Sequence, residues 1–214
     1  MRTVLTPSVL AAQHHYFGRQ YRVDEAPARD ALTEGEIEFI TTRDSFYMAT
    51  VTESGWPYIQ HRGGAPGFLR VLGPGRIGFA DYKGNRQMIS TGSLAANDRV
   101  ALFLMDYPRR ERLKILGHAR VLDARENADL VEQFAEPAAR AVVERLFLIE
   151  VIAFDWNCPK YITPRFTAAE VEAAVVPLRQ RIAELEAQLA TRAQRFPDGL
   201  QAVMERERQT ANPV

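Results

Sequence analysis

The architecture is indicated most clearly by residues 46–62, which read Phe46-Tyr47-Met48-Ala49-Thr50-Val51-Thr52-Glu53-Ser54-Gly55-Trp56-Pro57-Tyr58-Ile59-Gln60-His61-Arg62. Two runs rich in aromatic and β-branched residues flank the turn Glu53-Ser54-Gly55, which is the pattern of a β-hairpin. Further short runs of strand-like sequence follow at 67–72, 76–80, 99–105, 112–122 and 146–154. Short strands separated by tight turns predict an antiparallel sheet that closes on itself, rather than a doubly wound parallel fold.

Helical sequence surrounds these strands. Thr33 with Glu36 three residues later predicts a capping box at the start of a helix that carries Ile37, Phe39 and Ile40. Further helical segments are predicted at 8–20, at 86–96 and, as a helical pair packed against the barrel, at 125–145. The stretch 24–28 has the composition of a linker. We therefore expect a mainly β protein with peripheral helices.

The last fifty residues differ in kind from the rest of the chain. Thr167 and Glu170 predict a second capping box, and Pro177 predicts either a kink or two helical segments. Apolar residues then recur at heptad spacing, at Val171, Val175, Leu178, Ile182, Leu185 and Leu189. Such a seam fits a helical arm that contacts a second subunit, and it also fits a helix that packs on its own barrel. The predicted domains are 1–33 (N-terminal helix and linker), 34–160 (barrel) and 161–214 (C-terminal helical arm).

Composition limits the classes of function. The 214 residues include 27 Lys or Arg and 27 Asp or Glu, so the formal net charge is zero and broad capture of nucleic acid or anionic membrane is not expected. The single cysteine, Cys158, cannot form an internal disulfide, which fits a reducing compartment. No apolar run approaches the roughly 20 residues of a membrane span. We expect a cytoplasmic protein, and the four histidines show no metal-ligand spacing.

The densest chemical signal lies at residues 79–87, which read Phe79-Ala80-Asp81-Tyr82-Lys83-Gly84-Asn85-Arg86-Gln87, followed by Ser90-Thr91-Gly92-Ser93. A strand ends here in cations, amides, hydroxyls and glycines, the groups that hold a phosphate monoester. Similar polar turns occur at 60–64 and 109–112. If these turns converge, they form one anion site; as separate surface turns they would have the same composition.

The order and spacing of several motifs resemble the pyridoxamine 5′-phosphate oxidase-like, FMN-binding split-barrel family over about residues 34–160. The motifs are Tyr47-Met48-Ala49-Thr50-Val51, Gly55-Trp56-Pro57-Tyr58, Gly67-Phe68, Ile77-Gly78-Phe79-Ala80-Asp81, Gly84-Asn85-Arg86, Asn97-Asp98-Arg99-Val100-Ala101-Leu102-Phe103 and Leu113-Lys114-Ile115-Leu116-Gly117-His118-Ala119. The resemblance implies a six-stranded antiparallel split barrel that forms a homodimer. It also implies FMN held in the groove between the two subunits.

The resemblance assigns cofactor contacts residue by residue. The phosphate segment of the family falls on Asn85, Arg86 and Gln87, entered through Phe79 and Ala80, and the strand along the flavin falls near Gln60-His61-Arg62-Gly63. Arg112 matches a polar position facing the flavin, and the segment that begins at Trp156-Asn157 matches one that closes over it. The predicted cofactor-binding set is Gln60, His61, Arg62, Gly63, Phe79, Ala80, Asp81, Lys83, Asn85, Arg86, Gln87, Ser90, Arg112, Trp156 and Asn157.

Departures from the family pattern argue against vitamin B6 as the substrate. A pyridoxamine phosphate oxidase has lysine in place of Gln87 and an Arg-x-apolar-apolar run in place of Arg62-Gly63-Gly64, and its chain has an Arg-Leu-x-Pro ending that is not found here. The sequence thus predicts an FMN-dependent oxidoreductase acting on a small molecule. The alternative is a non-catalytic module that binds flavin, deazaflavin or haem as a sensor or store. No catalytic residue is assigned; His61 fits either a proton donor or a hydrogen-bond partner of the cofactor.

Overall fold

The computed structural model describes residues 2–20, 29–156 and 159–195, together with positions 203 and 206. The strands are β1 (Ser45–Val51), β2 (Pro57–Gly63), β3 (Arg70–Gly73), β4 (Arg76–Tyr82), β5 (Arg99–Asp106), β6 (Glu111–Asp123) and β7 (Val143–Trp156). The α-helices are α1 (Pro7–Phe17), α2 (Glu34–Thr41), α3 (Ile89–Ala96), α4 (Ala128–Phe134) and α5 (Ala168–Arg195). Short 3₁₀ turns occupy Arg2–Val4, Ala124–Glu126 and Pro137–Val142.

The seven strands form one antiparallel sheet in the order β2-β1-β5-β6-β7-β4-β3. They are the segments that the residue pattern predicted, whereas the family resemblance implied six. The fold class is confirmed: a mainly β split barrel with peripheral helices and a C-terminal helix. β2 and β4 both carry residues of the predicted site, but they are not paired with each other in this order. The sheet ends at β2 on one side and at β3, beyond β4, on the other, and we call the unpaired gap between β2 and β4 the split of the barrel.

The barrel interior is filled by alternate residues of the strands. Its main cluster includes Phe46 and Met48 of β1, Phe79 of β4 and Phe147 of β7, all at most 1% exposed. Phe79 and Phe147 stack with ring centroids 4.8 Å apart. A smaller cluster on the outer face joins Phe134 of α4 to the sheet. These packed faces hold the strands in a fixed register, and thereby hold the side chains at the strand ends.

Two predicted capping boxes are present. The Glu36 carboxylate accepts a hydrogen bond of 2.9 Å from the Thr33 backbone N–H, and the Glu170 carboxylate accepts one of 2.7 Å from that of Thr167. The second box starts α5, which continues through Pro177 as one helix. Satisfying otherwise free N–H groups in this way fixes where each helix begins.

One predicted element is wrong. The segment 125–145 was predicted as a helical pair, but α4 ends at Phe134 and β7 begins at Val143. Pro137 begins a 3₁₀ turn between them, since its ring is compatible with a first helical turn and not with a helix interior. Residues 143–145 therefore belong to strand β7, which contributes a side chain to the candidate site.

The chain divides into two compact units, Met1–Pro164 and Arg165–Val214. In the first, α1 is capped by Thr6 and begins at Pro7, close to the predicted helix at 8–20, whereas the predicted linker 24–28 lies outside the described residues. Among the helices that the structure describes, none has the length and apolar character to cross a membrane.

Candidate functional site

A cavity of about 220 Å³ opens at the split of the barrel. Its walls come from β2, from the end of β4 with the loop that follows, from the first turn of α3 and from β7. The lining residues are Tyr58, Gln60, Arg62, Asp81, Tyr82, Gly84, Asn85, Arg86, Gln87, Met88, Ile89, Ser90, Thr91 and Arg145. The cavity thus brings together the polar turns at 60–62 and 85–87, which is one of the two arrangements that the sequence left open.

An ion pair crosses the split and forms one wall of the cavity. Arg62 Nη1 on β2 donates a hydrogen bond to Asp81 Oδ1 on β4, and the two side chains are only 13% and 10% exposed. The Arg62 guanidinium also lies over the rings of Phe79 and Phe147, at 5.6 and 5.1 Å. Burial lowers the pKa of Arg62, while the neighbouring Asp81 opposes that shift. The Arg62 guanidinium is therefore held in place by Asp81, to which its Nη1 is directed.

Arg145 of β7 completes this buried ionic group. Its Nε donates to Asp81 Oδ2 at 2.8 Å and its Nη2 lies 2.7 Å from the same oxygen, so one carboxylate bridges two guanidiniums. Arg145 was not predicted as a site residue, because residues 143–145 were assigned to a helix. The signal that would have found it is a charged residue on the inward-facing side of an apolar strand.

The loop after β4 supplies the more accessible cation. Arg86 has φ of 58°, as does Met88, the residue before α3. Left-handed backbone costs a non-glycine residue about 1–2 kcal/mol, and such strain concentrates at binding sites. Arg86 Nη2 donates to Glu144 Oε1 at 2.8 Å and the side chain is 59% exposed. The hydrogen bond from Arg86 lowers the pKa of Glu144.

The start of α3 faces the same cavity. Met88, Ile89, Ser90 and Thr91 line it, and the first turn of this helix contains no acidic residue. Ser90 Oγ donates to Gln60 Oε1 at 3.1 Å, which ties the helix to β2. The first backbone N–H groups of a helix lack partners within the helix and attract anions. A cavity that combines these N–H groups with Arg86 and Arg145 is suited to a phosphate.

The structure does not bring every predicted site residue to this cavity. Phe79 and Ala80 are buried in the two apolar clusters, and Lys83 and Gly63 lie on exposed loop and strand ends. The others point elsewhere: His61 packs edge-to-face on Tyr47, Arg112 lies 6.0 Å from the Phe103 ring, and Trp156 Nε1 donates to Glu36 Oε1 at 2.6 Å. The predicted role of Asn157 lies outside the described residues. The third basic turn, 109–112, does not line the cavity either.

A wider cleft of about 400 Å³ lies elsewhere on the sheet. It is lined by Arg29, Arg76, Asp98, His118, Ala119, Arg120, Leu148 and Glu150. Its charges are partly paired, since Arg29 Nη1 lies 2.9 Å from Glu150 and His118 Nδ1 lies 2.8 Å from Asp98. The smaller cavity at the split is the stronger candidate because it combines the N–H groups of a helix start with the largely buried guanidiniums of Arg62 and Arg145.

Comparison with known proteins assigns the class. The model of the pyridoxamine 5′-phosphate oxidase family matches residues 32–156, which is more than half of the chain. The chain belongs to this family. The matched segment contains all seven strands and α3, and therefore the whole cavity at the split. No curated protein matches the chain.

Several solved structures resemble part of the chain at low identity. One is a protein related to general stress protein 26, of the pyridoxinephosphate oxidase family, from Clostridium acetobutylicum (14% identity, 63% of this chain and 92% of that one, TM-score 0.45). Another is an FMN-binding protein from Syntrophomonas wolfei (9%, 57% and 86%, TM-score 0.43). A third is an F420 reductase (18%, 58% and 98%, TM-score 0.40).

Proposed function

We propose that the protein binds FMN at the split of the barrel and uses it as an oxidoreductase on a small molecule. Membership of the pyridoxamine 5′-phosphate oxidase family supports flavin binding in general. The observation that carries the finer proposal is the cavity itself, which gathers Asn85, Arg86, Arg145 and the first turn of α3 around one space. When bound, FMN would supply two-electron transfer between a donor and an acceptor.

The residues of the cavity fit the phosphate end of such a cofactor. A phosphate monoester carries about −1.5 to −2 charges and accepts several charge-assisted hydrogen bonds. Arg86 is the exposed donor, Arg145 lies behind it, and the Asn85-Gln87 turn is pre-formed by a 3.2 Å hydrogen bond from the Gln87 N–H to Asn85 Oδ1. Arg62, held by Asp81, would orient this wall rather than serve as the main phosphate donor.

The size of the cavity supports a site completed by a second copy. Pockets for drug-sized ligands usually measure about 300–1,000 Å³, whereas this cavity measures about 220 Å³. It has room for a phosphate and its chain, and the isoalloxazine ring would extend beyond it. We therefore propose that a homodimer encloses the rest of the cofactor.

An apolar sheet face supports the same dimer. Ile59, Ala49, Ala101 and Leu116 lie side by side on four neighbouring strands, β2, β1, β5 and β6. Tyr47 and Phe103 form part of the next row, and Ile59 is 62% exposed. A contiguous apolar face of a sheet marks a surface that another protein surface covers.

The proposal is tested by purifying the protein and measuring visible absorption before and after addition of FMN. We expect flavin absorption that remains with the protein through gel filtration. Anaerobic addition of NADH or NADPH should then bleach the flavin, and air should restore its absorption. Absence of bound flavin after FMN addition would contradict the proposal, and bound flavin that no nicotinamide or small organic donor reduces would favour a binding module instead.

A further inference from the structure

Strand β7 carries a β-bulge beside the cavity. Asp81 of β4 pairs with Arg145, but the next residue, Tyr82, pairs with Val143, so Glu144 has no partner position. In a regular strand Glu144 and Arg145 would point to opposite faces of the sheet. A bulge changes the direction of one side chain and is common beside functional sites. Here it allows both side chains to join the same ionic group, Glu144 through Arg86 and Arg145 through Asp81.

The Glu144 carboxylate lies between two cations of the cavity. Its Oε1 accepts a hydrogen bond of 2.8 Å from Arg86, and its Oε2 lies 3.2 Å from Arg145 Nη1. Oε2 is buried and accepts no hydrogen bond from the described residues. The carboxylate therefore pairs with two guanidiniums that line the cavity and that a bound anion would also use.

The sum of the formal charges at the cavity changes sign when a phosphate binds. Three guanidiniums, of Arg62, Arg86 and Arg145, face two carboxylates, of Asp81 and Glu144, which leaves a formal charge of +1. A phosphate of about −1.5 to −2 would turn this sum negative. Asp81 is buried between two arginines and stays in place. Glu144 is paired mainly with the exposed Arg86, and ion pairs of this kind contribute little to stability.

We propose that Glu144 is an internal anion that competes with the phosphate of the ligand for Arg86 and Arg145, and thereby sets the affinity of the cavity. This inference rests on the proposed function. The carboxylate keeps the two guanidiniums close together when no ligand is present, and it must move away when the phosphate binds. Glu144 therefore lowers the affinity for phosphorylated ligands and has no such effect on the same ligand without its phosphate.

The experiment is a fluorescence titration of FMN and of riboflavin, which lacks the phosphate, into wild type and Glu144→Gln. We expect Glu144→Gln to bind FMN about five- to tenfold more tightly, with riboflavin affinity unchanged. The matched control is Glu150→Gln, since Glu150 is on the same strand and pairs with an exposed arginine at 2.9 Å, away from this cavity. The control should bind both flavins as wild type does. Flavin fluorescence reports binding without any turnover.

Each other result has a definite meaning. Equal or weaker FMN binding by Glu144→Gln, in a protein whose wild type binds FMN, would show that Glu144 is neutral or positions the arginines, and would overturn the inference alone. Failure of wild type to bind FMN would overturn the proposed function and this inference with it. If Glu144→Gln does not fold, Glu144→Asp, whose carboxylate reaches less far, replaces it: tighter FMN binding is expected, and unchanged or weaker binding overturns the inference.

Discussion

Arg62 and Asp81 form an ion pair across the split of the barrel, between two strands that share no backbone hydrogen bonds. The pair forms one wall of the candidate cofactor cavity, and Asp81 also binds Arg145. These side chains thus link β2 to the paired strands β4 and β7 across a gap that no backbone pairing closes. The same residues stabilise the barrel and shape the cavity, so mutations here are expected to affect both properties.

Asp81→Asn should destabilise the protein strongly, because it leaves the buried guanidiniums of Arg62 and Arg145 without their shared carboxylate. Breaking one partner of a buried pair costs about 3–5 kcal/mol, and we expect a loss of about 3 kcal/mol in the free energy of unfolding, measured by urea denaturation. The control is Asp155→Asn, whose pair with Lys114 is partly exposed, so that its cost should stay below about 1 kcal/mol. Equal stability losses would show that the pair across the split is no stronger than a surface pair.

Arg86→Gly should separate ligand binding from stability. Glycine adopts the φ of 58° found at Arg86 without strain, so the free energy of unfolding should be unchanged or slightly higher. Loss of a charge-assisted hydrogen bond of about 1.5–3 kcal/mol predicts about 10- to 100-fold weaker FMN binding. Arg110→Gly is the matched control, because Arg110 also has φ of 58° and is exposed but does not line the cavity. If Arg86→Gly binds FMN as tightly as wild type, Arg86 is not a phosphate ligand.

Ile59→Asp should prevent dimer formation. Ile59 is 62% exposed in the apolar row that it shares with Ala49, Ala101 and Leu116. A charge within a covered apolar surface is unfavourable because it must be desolvated. Light scattering after gel filtration should give a dimer for wild type and for Ile59→Val, and a monomer with weakened FMN binding for Ile59→Asp. A wild-type monomer that binds FMN fully would contradict the dimeric site.

Glu36 should make stability depend on acid pH. Burial acts to raise the pKa of Glu36, but hydrogen bonds from Thr33 and Trp156 outweigh it and lower the pKa below its usual value. Since the folded-state pKa is lower than the unfolded value of about 4.3, this contribution is complete above that pH and is lost as pH falls through the folded pKa. Glu36→Gln should therefore lose stability less steeply than wild type between about pH 5 and pH 3.

The measurement for Glu36 is the free energy of unfolding at several acidic pH values. The control is Glu38→Gln, an exposed position on the same helix, which should follow the wild-type curve. Identical pH dependence of wild type and Glu36→Gln would contradict a lowered pKa at Glu36.

The fold was largely readable from the sequence because it depends on local patterns. Alternating apolar residues and tight turns identified each strand, and the Thr33 and Thr167 capping boxes identified the starts of two helices. The segment after α4 was misread because Val142, Val143 and Leu146 also fit a helical period. Over such short distances apolar residues are compatible with both helix and strand.

Only part of the candidate site could be predicted from the sequence, because the site depends on which strand ends meet in space. Arg62 and Arg86 were predicted to share one site, and they line the same cavity. Arg145 and Glu144 were missed because residues 143–145 were assigned to a helix, and the direction of Glu144 also depends on a β-bulge, which sequence pattern does not reveal. Trp156 was included through the family resemblance alone, and His61 and Arg112 through the resemblance and their polar turns; the side chains of all three make contacts elsewhere within the chain. Their roles toward a cofactor at a subunit interface remain predictions.

The central claim is that the cavity at the split of the barrel holds the phosphate of FMN. A crystal structure of the protein grown with FMN tests this claim most directly. The account predicts a phosphate within hydrogen-bond distance of Arg86 and of the first turn of α3, with Glu144 turned away and the flavin ring between two copies of the chain. Flavin density at another place, with Arg86 still bonded to Glu144, would contradict it.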